Sequence, residues 1–249
     1  MDSLAEWTRV VPAPGTSVSF SEAVAAAISE LEIFGVRPAA LIVDTIFASD
    51  RVYPAVEGLA EAAATVRKAG GLFIADEVQP GFGRLGTGMW GFDRYGVDPD
   101  LVTVGKPMGN GQPIAAVMAR HHLVDAFNEN SRYFNTFGGS SVSIAAAQAT
   151  LDVLRDENLI DNARDVGGYL LQELRSLGVF SEVRGVGLFI GAQLESEERA
   201  LAAVNALRER GVLLAASGPL NDSLKIRPPL PFSREDADLL LTELSAVLR

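Results

Sequence analysis

Runs of four or five apolar residues, each stopped by Gly, Pro or Asp, set the tightest limit on how this chain can fold. Their length and β-branched content are those of buried parallel strands. Two of the runs end on reactive groups. Leu72-Phe-Ile-Ala75 runs into Asp76, and Leu101-Val-Thr-Val104 reaches Lys106 after a single glycine. Open parallel sheets place their chemistry at the carboxyl ends of their strands. A lysine there is costly as a buried charge, because desolvation lowers its pKa, and a neutral amine is a nucleophile toward carbonyls. A carboxylate and an amine at two strand ends can share one cofactor.

Helical segments alternate with these runs. Residues 21–31 read as a helix capped by Ser19 or Ser21 with Glu22 in its first turn. Residues 57–69 form a second helix, stopped by Gly70-Gly71. Strands at 39–46, 72–75, 101–104 and 114–118 complete an α/β pattern, a mostly parallel sheet with covering helices. From 142 to about 177 the chain turns helical. Short strands follow at 180–183, 187–194, 212–215 and 223–226, around a helix at 197–210, and a last helix spans 234–248. The expected organisation is a large α/β domain over 1–149 and a small α+β domain over 150–249.

Composition removes several classes of function. With 249 residues and 48% hydrophobic content, the chain can bury a sizeable core. Lys+Arg 21 against Asp+Glu 32 gives a net charge of −11, which argues against a nucleic-acid partner. There is no cysteine, hence neither a disulfide nor a thiolate metal site. His121 and His122 stand together beside a helix start and read as solvated, so no metal site is expected. No apolar run approaches the ~18 residues of a membrane span, and the first residues lack the basic and apolar regions of a secretory signal. These features fit a cytoplasmic enzyme that acts on small molecules.

Gly81-Phe-Gly83-Arg-Leu-Gly86 matches the G-x-G-x-x-G dinucleotide fingerprint in letters only. That motif must close a strand and open a helix whose N-terminus meets the pyrophosphate. Here Glu77 to Pro80 intervene and Thr87-Gly-Met-Trp-Gly91 follows, so no helix begins. Gly105-Lys106-Pro107 likewise lacks the glycine spacing and the hydroxyl residue of a phosphate-binding P-loop.

Ile-Ala-Asp-Glu-Val-Gln-Pro-Gly-Phe-Gly-Arg, then Pro-Asp-Leu-Val-Thr-Val-Gly-Lys-Pro-Met-Gly-Asn-Gly, then Tyr-Phe-Asn-Thr-Phe-Gly-Gly, follow one another in an order that resembles the class III aminotransferases. These are fold-type I enzymes that use pyridoxal 5'-phosphate (PLP). The resemblance runs from about Pro38 to Arg249. It implies that Lys106 is the Schiff-base lysine and, once released by substrate, the base that moves the proton. Asp76 would face the pyridine nitrogen and keep it protonated; an opposite charge nearby shifts a pKa by ~1 to 3 units. Gln79 would bond the ring hydroxyl and Val78 would pack on a ring face. Thr136 would bind the cofactor phosphate of a neighbouring subunit, which implies a homodimer with shared sites. Arg227, in Leu-Lys-Ile-Arg-Pro-Pro, would be the fork for a substrate carboxylate. Taken singly, Asp76 also fits a turn cap, Arg227 a surface cation and Thr136 a strand hydroxyl; the ordered set carries the resemblance.

The reaction so implied exchanges an amino group between an amine or amino acid and a 2-oxo acid. The same wording is close to a branch of phospholyases that act on amino-alcohol phosphates, in which a Lys can stand at the Arg227 position. The resemblance also exposes departures. Asp44 stands where the family often has Glu, and Ser140-Ser141 where it often has Asn-Pro. Members usually begin well over a hundred residues earlier, with a Gly/Ser loop for the phosphate and an aromatic that stacks on the ring. The expectation is therefore an incomplete large domain with exposed apolar surface, and low activity for this chain alone. A non-catalytic assembly piece is the remaining alternative.

Overall fold

The computed structural model describes residues 5–15, 18–49 and 52–248, and the chain separates into two compact units. The first is Met1–Thr45, Ala55–Val78 and Phe92–Thr150; the second is Ile46–Pro54, Gln79–Gly91 and Leu151–Arg249. Two segments from the first half of the sequence thus belong with the second unit.

In the first unit, helix α1 (Phe20–Ile33) opens with a capping box. Of the two candidate serines Ser19 is the cap: its Oγ accepts from the Glu22 N–H, and Glu22 accepts from the Ser19 N–H at 2.9 Å. Strand β1 (Ala40–Asp44) leads to α2 (Leu59–Lys68), β2 (Leu72–Asp76), β3 (Leu101–Val104), β4 (Ala116–Ala119), α3 (His121–Asn130) and α4 (Ser141–Asp156), whose residues from Leu151 on are counted with the second unit. The sheet order is β1-β2-β3-β4. The first three strands are parallel, and β4 is antiparallel to β3. The first strand is shorter than the run 39–46, because Thr45 and Ile46 leave the sheet after Asp44.

Period-two alternation divides the sheet into unlike faces. Val43, Phe73, Ala75, Val102 and Val104 are buried, and α2 packs against β1 and β2 with Leu59, Ala62, Ala63 and Val66 also buried. On the opposite face the register aligns Ile42 with Ile74, Asp44 with Asp76, Asp76 with Thr103, and Thr103 with Val117. Ile42 and Val117 are 60% and 62% exposed there. Parallel sheets ordinarily bury both faces, so among the described residues this face is only partly covered.

One carboxylate fixes the start of β3. Asp100 is buried; its Oδ2 accepts from the Phe73 N–H at 2.8 Å and from Arg67 Nε at 2.9 Å, and its Oδ1 accepts from Arg120 Nε at 3.0 Å. Its backbone N–H donates to the Phe73 carbonyl, and the Arg120 N–H donates to the Asp100 carbonyl. Burial pushes the Asp100 carboxyl pKa up, but the Phe73 N–H and the two arginines outweigh that and hold it below the ordinary value.

In the second unit, α5 (Leu159–Ser176), β5 (Glu182–Val186), β6 (Phe189–Gln193), α6 (Glu197–Glu209), β7 (Ala215–Ser217), β8 (Ser223–Ile226) and α7 (Arg234–Leu248) form an antiparallel sheet of order β5-β6-β8-β7 with helices packed on it. Leu170, Leu174, Ile190, Leu207, Leu224 and Leu244 anchor its core. The helical stretch 142–177 is two helices, broken where Asn158 takes φ +51°. The strand expected at 212–215 starts three residues later, at Ala215, and ends at Ser217. Glycines let the loop 81–86 approach closely: a Cβ on Gly86 (φ +68°) would stand 2.5 Å from the Arg164 nitrogen of α5.

Candidate active site

The first unit gathers the strand-end groups. Asp76 closes β2 with its side chain half-buried and oriented by two donors to one oxygen. Oδ1 accepts from the Val78 N–H at 3.0 Å and from Thr103 Oγ1, on the neighbouring strand, at 3.3 Å. Among the described residues no bond engages Oδ2, so the carboxylate is held in place with one oxygen able to receive another N–H. The next residue, Glu77, is wholly buried. Its Oε1 accepts from Thr45 Oγ1 at 3.3 Å and from the Phe92 N–H at 3.0 Å, which ties the end of β1 to the chain returning at residue 92.

Lys106 follows β3 by one residue and opens a short 3₁₀ turn, Lys106–Gly109. Its φ of +31° is in the left-handed region, uncommon for any non-glycine residue. Such strain costs about 1–3 kcal/mol and collects at functional sites. The side chain is exposed, so the burial expected to favour a neutral amine is not supplied by the described residues of this chain.

Val78 is half-buried beside Asp76, and Thr136 lies exposed in the loop between α3 and α4. The Asn135 side chain shapes that loop by accepting from the N–H groups of Phe137 and Gly138 at 3.0 and 2.9 Å. Tyr133, Phe134 and Phe137 around Thr136 are 70%, 86% and 86% exposed. His121 and His122 are both exposed at the start of α3.

Gln79 and Arg227 belong to the second unit and meet there. Arg227 Nη1 donates to Gln79 Oε1, and the Arg227 guanidinium lies over the Phe189 ring with Cζ 5.4 Å from its centroid. Partial desolvation lowers the Arg227 pKa below its ordinary value. The Lys225 ammonium sits 5.7 Å from the centroid of the same ring. Lys225 and Arg227, with Leu214, Phe232 and Leu240, help line a cavity of about 500 Å³. The six residues singled out from sequence therefore divide between the units: Asp76, Val78, Lys106 and Thr136 in one, Gln79 and Arg227 in the other.

Three residues at these sites escape reading from sequence. Thr103 is recognisable only once the register sets it beside Asp76. Glu77 is a buried acid whose partners lie 15 and 32 positions away. Arg84 Nη1 donates to the carbonyls of Leu188, at 3.3 Å, and Pro228.

The family model for class III aminotransferases matches residues 14–248, and the chain belongs to that family. It is 43% identical over 189 residues to alanine–glyoxylate aminotransferase 2 homolog 2, mitochondrial, of Arabidopsis thaliana, covering 71% of this chain and 39% of that protein. It is 41% identical over 213 residues to ethanolamine-phosphate phospho-lyase homolog 1 of Caenorhabditis elegans, covering 80% and 46%. Among solved structures it resembles a phospholyase from Arthrobacter in complex with phosphoethanolamine, with TM-score 0.88 and 41% identity over 92% of this chain and 57% of that one. A Bacillus anthracis aminotransferase matches with TM-score 0.85 and 27% identity, over 93% and 56%. The fold is that of the PLP-dependent fold-type I enzymes, and PLP is the family's cofactor. The chain spans less than half the length of these two curated relatives.

Proposed function

We propose that this chain supplies the lysine, pyridine-facing carboxylate and anion fork of a PLP-dependent transaminase that moves an amino group between an amine or amino acid and a 2-oxo acid. The observation that carries the reading is the pairing at the sheet's carboxyl edge. A carboxylate with one oxygen held by two donors ends β2, and a strained lysine follows the adjacent parallel strand. These residues fit the cofactor: Asp76 Oδ2 can accept the pyridine N–H, and Lys106 can hold the aldehyde carbon. When bound, PLP supplies an electron sink for the pair left behind when a substrate C–H bond is broken. Lys106, once freed from the cofactor, would be the base that takes the proton from the substrate α-carbon and the acid that returns it. Asp76 would face the pyridine nitrogen, its orientation fixed by Thr103 and the Val78 N–H. Val78 bears on a ring face, Gln79 bonds the ring hydroxyl, and Arg227 grips the acceptor carboxylate. Thr136, on its exposed loop, serves the cofactor phosphate of a second copy in a homodimer. The cytoplasm is the proposed location, read from an acidic, cysteine-free composition; the Arabidopsis thaliana relative is named as mitochondrial.

A second reading, elimination of phosphate from an amino-alcohol phosphate, is favoured by one observation: a relative and a solved structure named as phospholyases match this chain at 41% identity. Proton abstraction by Lys106 is common to both readings. A substrate assay separates them. Amino transfer that needs a 2-oxo acid, and whose KM for that acid rises about tenfold or more in Arg227→Ala, supports transamination. Release of inorganic phosphate without any oxo acid replaces it with the phospholyase.

A further inference from the structure

We propose that Arg84 is a positioning residue for Arg227, holding both the main chain that carries the fork and the aromatic platform beneath it. This rests on the reading of Arg227 as the anion fork. All the groups concerned belong to the second unit. Arg84 Nη1 donates to the carbonyl of Pro228, the residue after Arg227, and to the carbonyl of Leu188, the residue before Phe189. The Leu188 N–H donates back to the Arg84 carbonyl at 3.1 Å. One guanidinium nitrogen therefore ties the peptide that follows the fork to the turn that presents the ring under it. Gln79 holds the same fork by its head.

The loop bearing Arg84 has little room to shift. A Cβ on Gly83 (φ +77°) would stand 2.6 Å from Ile160 Cγ1, and one on Gly187 (φ +54°) 2.4 Å from the Leu85 carbonyl carbon. Contacts this close leave the loop one seat against α5 and the β5–β6 turn.

Charge argues that the tether does more than hold the fold together. Neither Arg84 nor Arg227 forms an ion pair with a carboxylate among the described residues. Burial, and secondarily the charge of Arg227, pull the Arg84 pKa down to about 10. Where the need is only mechanical, a partly buried cation near another cation is a poor solution, since apolar packing avoids both the desolvation and the repulsion. The pair becomes favourable when an anion arrives at Arg227. Arg84 then contributes a fixed positive potential as well as geometry.

The test uses the PLP-loaded protein with Arg84→Met, Arg84→Lys, Arg227→Ala and the Arg84→Met/Arg227→Ala pair. Steady-state kinetics compare a 2-oxo acid with a matched aldehyde that lacks the carboxylate. Binding of the oxo acid is also titrated calorimetrically to protein whose cofactor has been fixed on the lysine by borohydride, a readout without turnover. Arg84→Met is expected to raise KM and Kd for the oxo acid about tenfold. Its kcat and its aldehyde kinetics should stay within about twofold of wild type, and borohydride labelling should be retained. Arg84→Lys, which keeps the charge and one donor head, should lie between. The double variant should be no worse than Arg227→Ala, because both act through one fork. Equal losses for the two acceptors, or additive losses in the double variant, would overturn the proposal while leaving Arg227 as the fork. Indifference of Arg227→Ala to the acceptor's carboxylate, or failure of the wild-type protein to bind the oxo acid, would overturn both readings. If Arg84→Met does not fold, an oxo-acid-selective rise in Arg84→Lys decides for the proposal, and its absence decides against it.

Discussion

Replacing Asp100 by alanine should loosen the sheet that sets Asp76 beside the strand leading to Lys106, although Asp100 touches neither residue. The side chain is about one-tenth exposed and accepts one buried backbone N–H and two guanidiniums. Truncation leaves the Phe73 N–H without its acceptor, at a cost of about 1–3 kcal/mol. The two arginines are 35% and 39% exposed, so each lost pair adds only about 0–1 kcal/mol. The sum, roughly 1–5 kcal/mol, corresponds to a fall in Tm of about 2 to 20 °C for a chain of this size. Asp100→Asn keeps the acceptor oxygen for Phe73 but loses the charge and the acceptor for Arg120, which is 39% exposed, so about 1–2 kcal/mol is expected.

Differential scanning calorimetry at several pH values tests the argument. The folded Asp100 pKa lies below its unfolded value, so the unfolded chain takes up the proton first as pH falls. The stabilisation is complete above about pH 3.9 and disappears as pH drops through the lower, folded value. The gap between wild type and Asp100→Asn should therefore be constant near neutrality and shrink below about pH 4. An Asp100→Ala transition within about 2 °C of wild type at pH 7, or an Asn variant as damaged as the Ala variant, would refute the reasoning.

Gly86→Ala should destabilise the second unit by more than about 1 kcal/mol, the usual penalty for a residue at an incompatible positive φ, because its Cβ also meets backbone 2.5 Å away; chemical denaturation of the purified variant measures it. The 249-residue chain by itself should self-associate despite its charge of −11, through the partly covered sheet face at Ile42 and Val117 and the aromatic loop around Thr136; a monomeric sedimentation profile at micromolar concentration would contradict this. Supplied with PLP, the same chain should turn over far below the roughly 1 to 10³ per second of ordinary enzymes, since Lys106 and Thr136 are exposed within it; ordinary transaminase rates would refute that expectation.

Elements with a strong local signal are legible in the sequence. β2 and β3 are apolar runs with hard stops, α7 spans the residues its composition marks out, and Ser19 with Glu22 spells out the capping box of α1. The helical stretch 142–177 hides its break because Asn158 enters the left-handed region without a glycine to mark it. The described residues of the segments Ile46–Pro54 and Gln79–Gly91 contain no helix or strand, so no periodicity shows that they belong with the C-terminal half. At the candidate site, Asp76 and Lys106 stand out because strand ends are readable. Thr103 needs the register. Glu77, Arg84 and Asp100 are charged residues satisfied by backbone groups or side chains far along the chain, and nothing in their own neighbourhoods announces them. The exposure of Lys106 is equally illegible, because it depends on what covers the sheet's edge.

The central claim is that Lys106 is the amine that holds the cofactor, and the chain offers a clean choice among its three lysines, Lys68, Lys106 and Lys225. Protein incubated with PLP, reduced with borohydride and digested should carry one phosphopyridoxyl group, on the peptide containing Lys106, and Lys106→Ala should lose it. Lys68 ends α2 and Lys225 lies in β8 of the second unit, neither at a strand end next to Asp76. Stoichiometric label on either of them, or label that survives in Lys106→Ala, would contradict the account.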